Sequence, residues 1–258
     1  MSPNSSNVSK AAQTGGTLGL VAAVFVVVGV GSAALQILPA FGGFLLMVFG
    51  LALALLGAVL SIVGIIATSP GRNREGRPAA MRGFALCLLT IVALGVPAMR
   101  GSNVPRINDI TTSVDDPPAF VSASEAEPNK GRDMSYDAAA LAEVQREGYP
   151  DLASLVIEDS PDEAFDKVRR ALAGMPRMEI TGEDKAAGRI EATETSALFH
   201  FKDDVVVRIR PFQDGGSRID VRSKSRDGKG DLGVNAARIR TLLGLVRASA
   251  KPVSTATP

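Results

Sequence analysis

The chain has 258 residues, 28 of them basic and 27 acidic, for a net charge of +1. Its mean hydropathy is slightly positive although 21% of its residues are charged, so the average conceals two unlike regions. Residues 11–71 carry no charged side chain, whereas residues 101–258 carry 22 basic and 26 acidic ones, which excludes a uniformly soluble globule.

After a polar N-terminal tail (1–17) the uncharged stretch holds two runs of the length needed to cross a bilayer, about 18–38 and 41–67, joined by the turn "PAFGG". A shorter apolar run, 83–99, lies between Arg82 and Arg100 and reads as a third span. "GSAALQ" has the small residues of a cleavage site. Yet the first run is longer than a signal-peptide core and a second span follows at once, so it reads as a retained anchor. Gly50, Ala54, Gly57, Ser61 and Gly64 form a stripe of small residues on span two, suited to close packing against another span or to helix-mediated self-association. Cys87 supplies the only ionisable side chain within the spans, so anchoring is favoured over transport. It is also the only cysteine, which leaves no disulfide or thiolate metal site for the polar part. Arg72, Arg74, Arg77 and Arg82 lie between spans two and three, and no charge lies between spans one and two. The expected topology has a cytoplasmic N-terminus and a periplasmic C-terminal domain on the bacterial inner membrane.

Residues 101–135, rich in Pro, Ser, Asp and Asn, read as a flexible linker. An α+β domain then spans 136–250, with a disordered tail at 251–258. "DAAALAEVQREG" reads as a helix capped by Asp137 and ended by Gly148. "SPDEAFDKVRRALAGMP" carries a capping box (Ser160 and Glu163), an early proline and a buried face of Phe165, Val168 and Leu172. Four strand patterns follow, "RMEITGED", "GRIEATETSALFHF", "VVVRIRPF" and "SRIDVRSKS", with "KDD" and "QDGG" as the turns after the second and third. Alternation gives the sheet one buried and one wet face. A final helix, "GVNAARIRTLLGLVRASA", would cover the buried face with Ile239, Leu242, Leu243 and Val246. The fold class is therefore membrane-anchored α+β: three transmembrane helices and an extracytoplasmic antiparallel sheet packed by helices.

The stretch "RSKSRDGKGDLGVN" invites two readings. Arg222, Ser223, Lys224, Ser225 and Arg226, with Asn235 and Arg238 on the following helix, could converge on an anion at the helix N-terminus. In the other reading Asp231 is itself the anion, held by Arg226 or Arg238 and by the helix N–H groups, while Arg222, Lys224 and Lys229 face outward. The stretch lacks the spacing and the Ser or Thr after Lys of a nucleotide-binding P-loop. Asp203 and Asp204 read as turn residues. His200, the only histidine, reads as a strand residue without a catalytic role and leaves no His-built metal centre. No catalytic residue, metal or cofactor is assigned.

"VPRINDITTSVDDPPAF", "YPDL", "IEATETSALFHFKDDVVVRIRP" and "SRIDVRSKSRDGKGDLGVNAARIR" together resemble the bacterial and plant family catalogued as domain of unknown function 1499, over about residues 104–248. The resemblance places motif positions at Asn108, Asp109, Asp203, Asp204, Arg222, Ser223, Ser225, Arg226, Gly228, Asp231, Gly233, Asn235 and Arg238. It implies a small domain often tethered to membranes, with no established activity. An acidic stretch, about Val121 to Arg146, departs from the family pattern. The function expected is a binding or scaffold module at the cell envelope whose partners are the lipid bilayer and an anionic lipid, a polysaccharide or an envelope protein, and no nucleic acid. A metal-independent hydrolase using Asp109, Asp204 or Asp231, and a structural subunit of a membrane complex, are the alternatives.

Overall fold

A computed structural model of the chain describes residues 7–100 and 103–251. Apart from Lys251, the tail expected at 251–258 lies outside them. The chain divides into two compact units, one of the N-terminal helices together with Ala197–His200 and one of the remaining described residues.

The first unit holds α1 (Lys10–Ala34), α2 (Ala40–Ala67) and α3 (Arg77–Arg100), three helices long and apolar enough to cross a membrane. The sequence placed the start of the first at Leu18. The helix begins at Lys10 instead, because the Ser9 hydroxyl accepts from Ala12 N–H and the residues up to Thr17 are uncharged and continue the turn. The third likewise starts earlier, at Arg77, with Pro78 in its first turn. The small-residue stripe of α2 is buried inside this unit. A Cβ built on Gly64 would meet Ala12 Cα at 2.6 Å, and one on Gly57 would meet Cys87 Sγ at 2.9 Å. The close approach that these glycines permit is used within the chain.

The second unit is a six-stranded antiparallel sheet in the order β1-β6-β5-β4-β3, with β2 also on β6. Its strands are β1 (Asp109–Thr111), β2 (Leu155–Ile157), β3 (Met178–Asp184), β4 (Arg189–Thr195), β5 (Lys202–Pro211) and β6 (Ser217–Ser225). The outer edge of β6 takes two short strands end to end, β2 along Ser217–Ile219 and β1 along Arg222–Lys224. Helices α6 (Pro161–Gly174) and α7 (Val234–Ser249) cover one face. There Val205, Val207, Ile209, Ile219 and Val221 alternate along the strands against Phe165, Val168, Leu172, Ile239 and Leu242, each buried aliphatic contributing about 1.5–3 kcal/mol.

Three expectations are corrected. The stretch expected to be a flexible linker (101–135) holds regular structure in its described part, residues 103–135: β1 joins the sheet, and α4 (Ser122–Glu125) and a 3-10 turn (Glu127–Asn129) follow before α5 (Ala138–Gly148). "KDD" is no turn. Lys202, Asp203 and Asp204 open β5 and pair with β4, and His200 sits in the β4–β5 connection with φ +58°. The second face of the sheet is not wet. Phe120, Ala123 and Met134 pack on Val206 to form a second core there. Charged strand positions beneath this cover need partners once water is excluded. Glu191 finds three in the backbone N–H groups of Val121, Ser122 and Ala123, at 2.8–3.0 Å, and so caps α4, which has no capping side chain of its own.

Candidate functional site

Because successive strand residues face opposite ways, the charged residues of β5 and β6 fall into two sets. On the helix-covered face, Ser223 and Ser225 meet Asn235 and Arg238 of α7. Asn235 accepts from Ser223 Oγ at 2.7 Å and donates to Ser225 Oγ at 2.9 Å, and Arg238 donates to Ser223 Oγ at 2.8 Å and Asp203 at 2.6 Å and pairs with Glu194. On the opposite face, Arg222 holds Asp109 bidentately at 2.8 and 2.7 Å and donates to the carbonyls of Pro118 and Met134. Lys224 reaches the same carboxylate at 2.9 Å. The Arg222 guanidinium lies over the rings of Phe120 and Tyr136, and burial together with the nearby Asp109 charge pushes the Tyr136 hydroxyl up to about 12. Further along, Arg226 holds Asp204 bidentately at 2.9 and 2.6 Å, and Thr193 and Asn129 donate to the same carboxylate.

The convergence expected of Arg222, Arg226, Asn235 and Arg238 on one anion therefore does not occur: the first two lie on one face of the sheet and the last two on the other. Nor does Arg222 face outward. It is 1% exposed, as is Asp109, and a buried ion pair needs this full set of partners to offset its desolvation. Asp231 accepts from Gly233 N–H at 2.8 Å and Asn235 N–H at 2.9 Å. It thus caps α7 from two residues before the N-cap, Gly233, without the expected arginine. Burial raises its carboxyl above the usual range and the backbone donors oppose that. Gly228 and Gly233 have φ of +79° and +84°, a backbone that favours glycine, and Asn108 Nδ2 donates to Gly228 O at 2.7 Å. Lys229 is exposed.

A cluster that the motif reading passed over lies on the same face as Arg222. The register places Arg210 opposite Arg218 and Arg208 opposite Asp220. Asp220 is fully buried and accepts from Arg208 at 2.9 Å, Arg210 at 2.8 Å and Ser154 at 2.5 Å, with Arg218 Nε at 3.5 Å. Burial works to raise its carboxyl, but the hydrogen bonds from Ser154 and Arg208 prevail and hold it below the usual range. The arginines stay within reach of solvent, with side chains 21% exposed at Arg208 and 40% at Arg210 and Arg218. The signal was in the sequence: alternation on either side of "QDGG" sets these arginines across from one another.

An all-antiparallel sheet with helices on one face and a cover on the other, preceded in the chain by three helices long and apolar enough to cross a membrane, defines an α+β protein with candidate spans. The family model described as protein of unknown function (DUF1499) matches residues 109–245, over half of the chain, and the chain belongs to that family. A search of curated proteins finds no match.

Proposed function

We propose that this is a membrane-tethered module whose α+β domain lies outside the cytoplasm and binds an anionic partner at the cell envelope. One observation carries the reading. The cationic motif residues Arg222, Arg226 and Arg238 are consumed by buried carboxylates, whereas Arg208, Arg210 and Arg218 share one buried aspartate, Asp220, with the exposed Asp116 as a second partner of the first two, and still reach solvent. A surplus of guanidinium at a partly open site suits recognition of an anion. Binding is favoured over hydrolysis because, of the three carboxylates that the sequence offers for acid–base work, Asp109 and Asp204 are 1% and 0% exposed and each closed by a bidentate arginine, and Asp231 is engaged by two backbone N–H groups as the cap of α7.

The orientation rests on Arg72 and Arg74 between α2 and α3 and on Arg77 and Arg82 in the first two turns of α3. Alkaline phosphatase fused after Lys251 is expected to be active, and green fluorescent protein at the same point dark. The full chain in neutral-lipid nanodiscs is expected to bind an anion-exchange-inert, phosphate-bearing matrix and to elute with salt, since partly exposed charges are screened. A dark phosphatase fusion beside a bright fluorescent one sinks the orientation, and absence of salt-sensitive retention sinks the binding role.

A further inference from the structure

The Arg208–Arg210 fork is already occupied by an anion from the chain itself. Asp116 lies in the loop that leads into the cover. Its carboxylate accepts from Arg208 Nη1 at 3.1 Å, Arg208 Nη2 at 3.0 Å and Arg210 Nη1 at 2.7 Å, and its carbonyl accepts from Arg208 at 2.7 Å. Unlike Asp109 and Asp204, Asp116 remains 57% exposed. Those arginine hydrogen bonds hold its carboxyl below the usual range. Next to it a cleft of about 180 Å³ opens between Arg189 and Arg208, over Val206 and beneath Pro118, Ala119 and Val121. Arg208, which lines this cleft, has its Nε buried without a hydrogen-bond partner, a costly state for a cationic donor. Arg208, Arg210 and Arg218 against Asp116 and Asp220 leave one net positive charge. With Asp116 released they leave two, which a phosphomonoester of about −2 near neutral pH offsets.

We infer that Asp116 is a displaceable stand-in for a phosphomonoester, whose phosphate takes its place on Arg208 and Arg210 and whose organic part enters the cleft beside Arg189. The inference rests on the anion-binding reading above and narrows it to one site and one chemistry. Asp116 is exposed and belongs to a loop, so neutralising its carboxylate leaves the sheet intact and frees the fork of that charge, while its backbone carbonyl still accepts from Arg208. Asp116→Asn is therefore expected to tighten binding, the opposite of what damage to the domain would do.

The test uses the full chain in phosphatidylcholine nanodiscs, titrated calorimetrically with glycerol 3-phosphate and with inorganic phosphate at constant ionic strength. Glycerol 3-phosphate should bind more tightly than inorganic phosphate. Asp116→Asn should tighten it roughly tenfold and Arg210→Gln weaken it roughly tenfold, the scale of one charge-assisted hydrogen bond. Repeating the titration in nanodiscs containing phosphatidic acid identifies the source of the phosphate. Lost binding of glycerol 3-phosphate means that a lipid headgroup fills the site, and retained binding means a free phosphomonoester. An Asp116→Asn protein with unchanged melting temperature that binds no more tightly than wild type overturns the site. If salt-sensitive retention on the matrix persists in that case, the broader binding role stands elsewhere on the domain, and if retention is absent in wild type, both fail.

Discussion

Asp109 shows how much one carboxylate can hold together. It is the shared acceptor of Arg222 and Lys224 and lies on the three-residue strand that begins the sheet. Removing its charge strands a fully buried guanidinium, so Asp109→Asn should cost about 3–5 kcal/mol. Lys224→Met should cost less than about 1 kcal/mol, because that ammonium sits at the rim and can turn to water. Urea unfolding followed by tyrosine fluorescence measures both in the full chain: the protein has two tyrosines and no tryptophan, and Tyr136 and Tyr149 both belong to the sheet unit. Equal costs would remove Asp109 from its central place. At this scale the sequence was a partial guide. It singled out the residues of the polar lattice, Asp109, Arg222, Ser223, Asn235 and Arg238 among them. It could not tell a charge offered to a ligand from one spent on a neighbour, because that depends on what lies over the strand. Arg222 reads as solvated only until Phe120, Met134 and Tyr136 are laid across it.

Among the elements, α6 was legible in full, since capping box, early proline and apolar stripe all point the same way. Ser160 Oγ accepts from Glu163 N–H at 3.4 Å, and Ser160 N–H donates back to the Glu163 carboxylate at 3.0 Å. Hydrogen bonds from Lys251 and then from Ser160 bring the Glu163 carboxyl down to about 2. A carboxyl depressed on folding contributes stability above its unfolded range that is lost as pH falls through the folded value. Glu163→Gln should therefore lower the melting temperature at pH 7, and the difference from wild type should shrink as pH falls toward about 2 and vanish below it. A difference that persists unchanged to pH 2 would mean that the charge of Glu163 is irrelevant to the cap. The cover at residues 113–136 was illegible for the converse reason. α4 has four residues, too few to show a period, and its N-terminus is capped by Glu191 from a strand 68 to 70 residues away. No local pattern records a partner that distant.

Across the whole molecule, the division into apolar helices and a polar α+β domain was plain from charge alone, because the charge-free run of residues 11–71 has no counterpart after residue 101. The sheet order was not, since strands were expected to pair with their neighbours in sequence. That rule holds from β3 to β6 and fails at the outer edge, where β6 takes β1 and β2. The pairing of β1 with β6 joins Asp109 to Arg222 across 113 residues, about three quarters of the span 103–251. Non-local closure of this kind delays folding, because the loop must be ordered before the contact rewards it. A nascent chain that ends before β6 holds β1, β2 and β5 without the strand that all three bind. Chains truncated after Gly216 should thus be digested by protease throughout residues 103–216 while chains ending at Lys251 resist, and equal resistance would mean that β3 to β5 are stable alone. Synthesis of this domain is consequently a wait for its last strand, and during that wait the strands that bind β6 keep an unpaired edge exposed, the condition under which chains aggregate.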